Sequence, residues 1–573
     1  MKISKLFPFA CVALMMTACA SDKDEMGGGT KPGSDPQYLA VNIVNVGATP
    51  TTRATADYEN GTEAESKINK VRFYFFNGDG SPYLIKNPGV EGVTGGDPKN
   101  WLDASPTDDT SNPAPSPVEK ITQTVLVING VQSAAPAAIV AVVNPGTVDA
   151  AKIQSGETMR LSELRYSTVG SKFYEKNATT GAVSDFVMSN SVYVNAGEDV
   201  CASLVAGHVT TSEKTAREKP VDLYVERVVA KVTADVDKTA FKLGNGTDWD
   251  AKKYGTITPV GQSGDYDVYA VIDGWGLANE NGKAEVEKQV KKTWTDGNLG
   301  FSPWTTSDYH RCFWETSVAF DPVAGGNQPI NPKFNQLKAQ MQDVLYTLPN
   351  TPDSKVTNLK DNDLTKFAVA ATLRYKDADN NWHNAEICRY NGVSLLGIDN
   401  LKRQVALIFS QYYTSTDATN YTQLSKDDIN FKEPNGTMQQ YRVTPTLADD
   451  PAGTKKYYTK TTTGTTPTFT EVDKATVLGA IEADKAEIRK DGRAYYYVPI
   501  KHLGGTDANA EYGIVRNHFY KITLSGITGF GTPVYDPEKV VDPIVPTYED
   551  TYLAARVQVL QWRVVNQNAS LGN

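Results

Sequence analysis

The chain has 573 residues and a formal net charge of −10 at pH 7. This length exceeds the size at which one hydrophobic core stops growing, so more than one domain is expected. The acidic balance argues against nucleic acid as a partner. Its five cysteines form no disulfide framework, and their odd number leaves the state of Cys201, Cys312 and Cys388 open.

The N-terminus carries the pattern of an export signal. Lys2 and Lys5 precede an apolar core at residues 6–16, which is too short to cross a bilayer as a helix. The run Met16-Thr-Ala-Cys19 resembles the lipobox of a lipoprotein, although Met16 stands where Leu is usual. Residues 1–18 are therefore predicted to be a lipoprotein signal peptide, with lipid attached to Cys19. An ordinary secretory signal with a chance cysteine is the alternative.

The first predicted strand covers residues 38–46 and follows a Gly/Pro/Ser tether. Its apolar positions are Val41, Ile43, Val44 and Val46. The next segment, 49–55, contains Pro and small residues and is expected to be accessible to a protease. Arg53, which precedes Ala54, is the only Arg before Arg72. Taken alone, Arg53 is more simply an ordinary loop residue.

Period-2 alternation and a high content of β-branched and aromatic residues predict further strands. In chain order these cover residues 68–76, 124–128, 138–143, 186–194, 221–236, 266–275, 367–375 and 405–409. The polar stretch 207–219 interrupts the pattern, so we place a boundary there between an N-terminal domain at 54–217 and a C-terminal domain at 218–551. The expected fold is mainly β, with two antiparallel β-sandwich domains and short helical insertions.

Two segments are predicted to be helical, because their apolar residues recur at helical spacing. The apolar positions of the first segment are Phe334, Leu337, Met341, Val344 and Leu345. Those of the second segment are Val477, Leu478, Ile481 and Ile488. A Thr/Gly/Lys-rich insertion at 453–468 precedes the second segment and is predicted to form an exposed hairpin or loop.

The strand predicted at residues 552–565 repeats the pattern of the first strand. Its apolar alternation slips once, as a β-bulge at Leu560 would produce. The apolar positions of this strand are Val557, Val559, Leu560, Trp562 and Val564. The first four have the spacing found in the strand at 38–46, so the two strands could occupy one groove in turn. Short apolar alternation is common, and chance explains the match equally well.

Residues that could carry catalysis are nearly absent. The sequence contains no HExxH, G-x-S-x-G, Walker, dinucleotide-binding or CxxC motif. His310 and Cys312 could lie together on a strand face, but no second pair of metal ligands accompanies them. Residues 377–381 imitate half of a calcium loop without its Gly and Glu, which favours an acidic hairpin turn. We therefore predict no catalytic residue, no metal site and no cofactor.

Four motifs together resemble sequence marks of the fimbrillins, the major shaft subunits of type V pili in Bacteroidia. They are VERVVAKV at 225–232, LPNT at 348–351, VRNHFYKI at 515–522 and LQWRVVNQNA at 560–569. These motifs occur in the order typical of that family and span most of the chain. The predicted lipoprotein signal agrees with this resemblance. An acidic run at 20–25 follows it and is similar to a surface-export signal. Met16 and the insertion at 453–468 depart from the family pattern.

The resemblance implies two transthyretin-like β-sandwiches and export as an outer-membrane lipoprotein. It implies that an Arg-specific surface protease cleaves between Arg53 and Ala54, which removes the lipidated propeptide 19–53 and the first strand. The C-terminal segment 552–573 of a neighbouring subunit then fills the vacated groove as a donor strand. The implied partners are other copies of the chain and minor anchor and tip subunits, in a fimbrium that supports adhesion and biofilm formation.

Three hypotheses about function stay open from the sequence. A shaft subunit that polymerises by strand exchange is favoured. An anchor subunit of the same pilus would keep its lipid, and a tip subunit would need no donor strand. A surface enzyme or glycan-binding lipoprotein would need convergent carboxylates or an aromatic platform. Tyr495-Tyr-Tyr497 could serve as such a platform, but its strand spacing is more typical of core and edge positions.

Overall fold

The computed structural model describes most of the chain between residues 37 and 567. The described ranges are 37–45, 61–86, 89–90, 97–108, 121–131, 134–147, 150–170, 172–237, 255–257, 266–294, 299, 304–307, 310–321, 323, 325–352, 364–432, 436–437, 442–502, 511–543, 552–561 and 566–567. Within these ranges the fold is mainly β, as predicted. None of the described helices is long and apolar enough to span a membrane.

The N-terminal sheet contains ten of the described strands. Nine follow one another in the spatial order Gly89–Val90, Trp101–Ala104, Val71–Phe76, Ala138–Val143, Met188–Asn190, Val221–Arg227, Gln37–Asn45, Ile121–Ile128 and Thr107–Asp108. The tenth, Ser203–Leu204, pairs with Ala138–Val143. Side chains from strands that are distant in this order, such as Leu126, Phe73 and Leu223, lie in one apolar core. The sheet therefore encloses its own core.

Two further sheets face each other across a second core. The C-terminal sheet has the order Val344–Thr347, Ala230–Val236, His518–Thr528, Tyr552–Gln561 and Asn566–Gln567. The facing sheet has the order Gly255–Ile257, Tyr266–Ala278, Lys366–Lys376, Arg493–Pro499 and Thr532–Pro533, and Trp382–Asn384 pairs with Lys366–Lys376. Val232 and Ile522 from the first sheet share a core with Phe367 and Tyr496 from the second. This part of the chain is therefore a β-sandwich.

A third apolar core lies within residues 387–488, which we call the inserted module. It separates the strands Trp382–Asn384 and Arg493–Pro499 of the facing sheet. Its strands are Ile387–Tyr390, Val393–Leu396, Tyr412–Ser415, Thr422–Gln423, Ile429–Lys432, Thr444–Leu447, Lys456–Thr463, Thr466–Val472 and Glu487–Ile488, and its α-helices are Ile398–Ile408 and Lys474–Glu482. The hairpin predicted at 453–468 is confirmed and belongs to this module.

Short elements complete the described fold. Two-residue and three-residue strands pair as Glu175–Lys176 with Val183–Ser184, Tyr193–Asn195 with Glu198–Val200, Thr168–Val169 with Ala284–Glu285, and Thr305–Thr306 with Arg311–Cys312. The other α-helices are Glu63–Ser66, Ala151–Ser155, Leu161–Arg165 and Glu213–Glu218. Turns of 3₁₀-helix lie at Pro145–Thr147, Phe334–Gln336, Lys426–Asp428 and Lys490–Gly492.

Two local predictions are wrong. The strand predicted at 405–409 is the end of helix Ile398–Ile408, which buries Leu401 and Val405 against the module core. The helix predicted over 334–345 is a single 3₁₀ turn followed by the strand Val344–Thr347, because that strand pairs with Ala230–Val236. Tertiary pairing overrides local helical spacing there. The second predicted helix is found as Lys474–Glu482, but Ile488 lies in a strand.

The long strand predicted at 221–236 is interrupted at Val228 and Val229, which are both fully buried. The part before them, Val221–Arg227, belongs to the N-terminal sheet. The part after them, Ala230–Val236, belongs to the C-terminal sheet. The chain therefore passes from one sheet to the other at this point, while the predicted domain limits of 54–217 and 218–551 stay predictions.

Two buried ion pairs lie where the N-terminal sheet meets the C-terminal half, and one of them, Glu226 with Lys288, joins the two. Lys288 Nζ lies 2.8 Å from Glu226 Oε2, and both side chains are 0% exposed. Arg516 Nε lies 2.8 Å from Glu315 Oε2, and the Arg516 guanidinium also donates to the carbonyl oxygen of Val286 at 3.0 Å. Loss of one partner would leave an uncompensated buried charge, so these pairs fix how the segments meet.

Glu287 is a buried carboxyl beside this junction. Neither of its carboxyl oxygens has a hydrogen-bond partner among the described residues, and Arg165 Nε lies 3.7 Å from Oε2. Burial raises the pKa of Glu287 to about 8, because desolvation outweighs the attraction of Arg165 and Arg516. An exposed Glu has a pKa of ~4.3. The folded state therefore binds an extra proton between these two pKa values, and its stability falls as the pH rises through this window.

We expect the melting temperature of the wild-type chain to fall more than that of Glu287→Gln between pH 5.5 and pH 8.5, because Gln stays neutral. The variant should melt a few degrees above the wild type at pH 8.5 and close to it at pH 5.5, as measured by calorimetry. Glu175→Gln, at a surface position, is the matched control and should follow the wild type at both pH values. A wild type that melts above Glu287→Gln at pH 8.5 would contradict the raised pKa.

Candidate assembly site

The residues predicted to take part in assembly fall into three groups. Val41, Ile43 and Val44 lie in the strand Gln37–Asn45, which we call the N-terminal strand. Val557, Val559 and Leu560 lie in Tyr552–Gln561, which we call the C-terminal strand. The rest lie outside the described residues and stay predictions: Cys19, Val46, Arg53, Ala54, Trp562 and Val564.

The N-terminal strand is paired along both edges. On one edge it runs parallel to Val221–Arg227, with Val41 opposite Val221. On the other edge it runs antiparallel to Ile121–Ile128, with Val44 opposite Ile121. Its removal would leave two facing strand edges with unpaired backbone groups, which is a groove that fits one strand.

Side chains also hold the N-terminal strand in place. Leu39, Val41 and Ile43 alternate along it, are 0% exposed and belong to the core of the N-terminal sheet. Their burial contributes ~1.5–3 kcal/mol for each side chain, or roughly 5–9 kcal/mol in gross terms. Leu39 and the equally buried Ala40 were missed from the sequence, although the alternation of Val41 and Ile43 extends back to Leu39.

Hydrogen bonds of Tyr38 and Asn42 outside the two ladders add to this attachment. Tyr38 N donates to the carbonyl oxygen of Thr210 at 2.7 Å, and Thr210 N donates to that of Tyr38 at 2.9 Å. Asn42 Nδ2 donates to Asp222 Oδ1 at 2.9 Å. The strand is thus a fully integrated part of the sheet, although it lies N-terminal to the predicted cleavage site.

The C-terminal strand runs antiparallel to His518–Thr528 along its whole length. Val557 pairs with Ile522, Val559 with Tyr520 and Leu560 with Phe519. These three partners are buried, at 1%, 0% and 3% exposure. The predicted bulge at Leu560 is not found, because the register continues unbroken through Gln561. The register shift instead lies in the partner strand, between Leu524 and Gly526.

The other edge of the C-terminal strand is paired much less. Within the described residues, only Val557 and Gln558 have partners there, in the two-residue strand Asn566–Gln567. The C-terminal strand is therefore held chiefly by one ladder, whereas the N-terminal strand is held by two.

The candidate metal ligands His310 and Cys312 each contact protein groups. The ring of His310 stacks on Tyr224 at 3.8 Å between centroids, and its Nδ1 lies 3.2 Å from the hydroxyl of Tyr193. Cys312 is buried, and its Sγ donates to the carbonyl oxygen of Trp314 at 3.0 Å. Burial raises the pKa of this thiol to about 12. Over the described ranges, no group of three or more His, Cys, Asp or Glu side chains is arranged to hold a metal ion.

The tyrosine triplet at 495–497 does not form a sugar-stacking platform. Tyr495 and Tyr496 are each 1% exposed. The Tyr495 hydroxyl donates to the carbonyl oxygen of Asp542 at 2.8 Å, and that of Tyr496 donates to Gly529 at 3.1 Å. These side chains are core residues of the facing sheet, so they are not available to a glycan.

Comparison with known proteins identifies a similarity at the C-terminal end. Residues 489–568 match a family model described as major fimbrial subunit protein type IV, fimbrillin, C-terminal. The predicted resemblance to the fimbrillins is therefore confirmed over these residues. This segment includes the whole C-terminal strand and its partner His518–Thr528. No curated protein matches the chain.

Solved structures with low overall similarity include three from Bacteroidia. A proposed cell adhesion protein of Parabacteroides distasonis is 13% identical, with 94% of this chain and 99% of that chain covered at a TM-score of 0.36. A fimbrilin of Porphyromonas gingivalis is 14% identical, with 92% and 99% covered at a TM-score of 0.34. The tip fimbrial protein Mfa3 of the same species is 10% identical, with 92% and 100% covered at a TM-score of 0.29. These scores are too low to support any conclusion about this chain.

We expect Ile43→Ala to destabilise the unprocessed chain by about 2–5 kcal/mol, because it deletes a fully buried side chain from the core of the N-terminal sheet. Urea unfolding of the full-length protein measures this loss. Asn42→Ala in the same strand is the matched control, because the hydrogen bond of its side chain to Asp222 is exposed, and it should cost less than about 1 kcal/mol. Equal losses in the two variants would show that the N-terminal strand is not anchored through Ile43.

Proposed function

We propose that this chain is a structural subunit of a fimbrial shaft and assembles by exchange of strands between copies. The observation that carries this proposal is the position of the N-terminal strand. It is paired on both edges inside a sheet, yet it precedes the predicted cleavage site at Arg53. The match of residues 489–568 to the fimbrillins supports the proposal from the other end of the chain.

In this proposal, processing opens the assembly groove. The chain is exported as an outer-membrane lipoprotein with lipid on Cys19, and an Arg-specific surface protease cleaves between Arg53 and Ala54. The N-terminal strand then leaves with the propeptide. The vacated groove lies between Val221–Arg227 and Ile121–Ile128, which are the two strands that hold it in the full-length chain.

Contacts just beyond the cleavage site explain why only one strand would leave. Glu65 is 1% exposed, and its Oε1 lies 2.9 Å from Lys231 Nζ. Arg227 Nε donates to the carbonyl oxygen of Glu65 at 2.7 Å, and the Tyr346 hydroxyl donates to the Glu65 carboxylate. Lys231 and Tyr346 belong to the C-terminal sheet. The segment around Glu65, which would remain after cleavage, is thus anchored independently of the N-terminal strand.

Backbone pairing favours transfer of the C-terminal strand into the groove of a neighbour. Leaving its own subunit breaks chiefly the ladder with His518–Thr528. Entering the groove forms two ladders, one with each strand that the N-terminal strand has left. Each main-chain hydrogen bond contributes net about 1 kcal/mol. Association and ordering remove several kcal/mol, so the additional ladder and the buried side chains together supply the driving force.

Strand exchange also determines the partners and the role that we propose for this chain. Other copies of the chain are the main partners, with minor anchor and tip subunits at the fibre ends, and the polymer supports adhesion and biofilm formation. Strand exchange requires no catalytic group and no cofactor, and we propose that the chain is not an enzyme. A subunit that kept its lipid would be an anchor, and one without a donated strand would be a tip.

We expect surface-assembled wild-type protein to begin at Ala54. Arg53→Ala should remain a full-length lipidated monomer, because the groove stays occupied by the N-terminal strand. Mass spectrometry of the N-terminal peptide and electron microscopy of the cell surface measure the two effects. Thr52→Ala is the matched control and should be cleaved and polymerise. Fibres built from chains that retain Cys19 would contradict the shaft assignment and support the anchor assignment.

We expect a chain without residues 552–573 to be processed and to accept a donor strand, but not to donate one. Added to wild-type protein during assembly, it should therefore cap growing fibres, so that mean fibre length falls as its share rises. Electron microscopy of fibre lengths at several mixing ratios measures this effect. Removal of residues 570–573 alone is the matched control and should leave the length unchanged. Polymerisation of the 552–573 deletion by itself would exclude the C-terminal strand as the donor.

A further inference from the structure

The site of the N-terminal strand limits which side chains a replacing strand can place there. Leu39, Val41 and Ile43 are 0% exposed and belong to the core of the N-terminal sheet. Ala40 lies on the opposite face of the strand, and it is also 0% exposed. The helix Glu213–Glu218 packs against the same strand. Both faces are therefore closed here, so the site accepts a large apolar side chain at position 39 and a small one at position 40.

A polar position follows this closed part of the site. Asn42 lies opposite Asp222 in the parallel ladder, and its Nδ2 donates to Asp222 Oδ1 at 2.9 Å. Asp222 is exposed, whereas its neighbours Val221 and Leu223 in the same strand are buried. A basic side chain at the position of Asn42 would therefore meet a carboxylate at the edge of the groove, with no charge to bury.

The C-terminal strand begins with the three residues that fill the closed part of the site. Tyr552-Leu-Ala554 repeats Tyr38-Leu-Ala40. Superposition of the two tripeptides, which we call the tripeptide register, puts a Leu and an Ala where the site accepts a large and a small side chain. In this register Arg556 takes the position of Asn42, opposite Asp222.

The apolar spacing that the two strands share defines a competing register, which is shifted by two residues. The competing register would place Ala555 at the site of Leu39 and leave a cavity in the core. It would also place Arg556 at the closed site of Ala40, where the larger side chain would have to displace its surroundings. The tripeptide register avoids both costs, and its largest loss of side-chain volume is the replacement of Val41 by Ala555.

We propose that the C-terminal strand enters the groove of a neighbouring copy in the tripeptide register, with Arg556 forming an ion pair with Asp222. This inference rests on the proposed function and adds to it the residues that set the register. The competing register places neutral Gln558 opposite Asp222 and forfeits the ion pair. An exposed ion pair adds little affinity, so this pair acts by discriminating between registers.

Cysteine pairs in assembled fibres test the register. Asp222→Cys is combined with Arg556→Cys in one chain and with Gln558→Cys in another. Positions 222 and 556 lie side by side in the tripeptide register, which suits a disulfide. The Cα atoms of positions 222 and 558 are then about 8 Å apart, beyond the reach of a disulfide.

We expect the first pair to give at least about tenfold more disulfide-linked oligomers than the second, since only the first pair meets the distance limit for a disulfide. Non-reducing gels of mildly oxidised fibres measure this ratio. Asp222→Cys alone is the control and should give no ladder of linked subunits. Equal or greater linkage through the Gln558→Cys pair would overturn the tripeptide register.

Charge reversal gives a second test that needs no added cysteine. In Asp222→Arg fibres two cations would face each other, so we expect subunits to dissociate about three- to tenfold faster on mild heating. Arg556→Glu in the same chain should restore the wild-type rate, whereas Gln558→Glu should not. Light scattering measures the rate. Rescue by Gln558→Glu alone, or a wild-type rate for Asp222→Arg, would refute the pairing of Arg556 with Asp222.

A failure of strand exchange and a failure of this register give different results. Polymerisation of the chain without residues 552–573 would exclude strand exchange, and the register with it. Fibres that require residues 552–573, but show neither the linkage through Arg556→Cys nor the rescue by Arg556→Glu, would leave strand exchange in place and exclude the tripeptide register.

Discussion

Backbone hydrogen bonding at strand edges is the constraint on which the rest of this structure depends. A strand inside a sheet must pair the N–H and C=O groups on both of its edges, because leaving them unpaired away from water is costly. The N-terminal strand forms backbone hydrogen bonds with both of its neighbours, Val221–Arg227 and Ile121–Ile128. The C-terminal strand forms them chiefly with one neighbour, His518–Thr528. In the proposed exchange, a chain that loses the N-terminal strand would need one strand in return, and another copy would supply it at the cost of a single ladder.

The junction between the two halves lies beside the two strands that we propose to exchange, without containing either of them. Val221–Arg227 borders the groove and ends in Glu226 and Arg227, while His518–Thr528 holds the C-terminal strand and follows Arg516 and Asn517 directly. Arg227 Nη1 donates to Asn517 Oδ1 at 3.1 Å, which connects these two chain segments. The buried pairs of Glu226 with Lys288 and of Glu315 with Arg516 involve no residue of the N-terminal or C-terminal strand. The proposed exchange would therefore leave the junction charges compensated.

Local patterns predicted two strands well even though both faces of each are largely buried. Residues 138–143 and 367–375 show this, since the strands Ala138–Val143 and Lys366–Lys376 nearly coincide with the predicted limits. The pattern failed where the pairing partner is distant in sequence. Val344–Thr347 reads as part of a helix and becomes a strand only through Ala230–Val236. The opposite error occurred at residues 405–409, which were predicted to be a strand and belong to a helix. A window of five residues is too short to show the helical spacing of the buried residues Leu401 and Val405. The two predicted roles of the terminal strands rest partly on residues outside the described ranges, so only their positions in the sheets can be compared.

The inserted module could not be predicted for a related reason. Its core joins Cys388, Leu401 and Val477, which are too far apart in sequence for any periodicity to connect them. The strands at the two ends of the module, Ile387–Tyr390 and Glu487–Ile488, pair with each other, so the core closes only when these distant segments meet. None of the residues of this core belongs to the N-terminal or the C-terminal strand. The proposed strand exchange would therefore leave the core of the module intact.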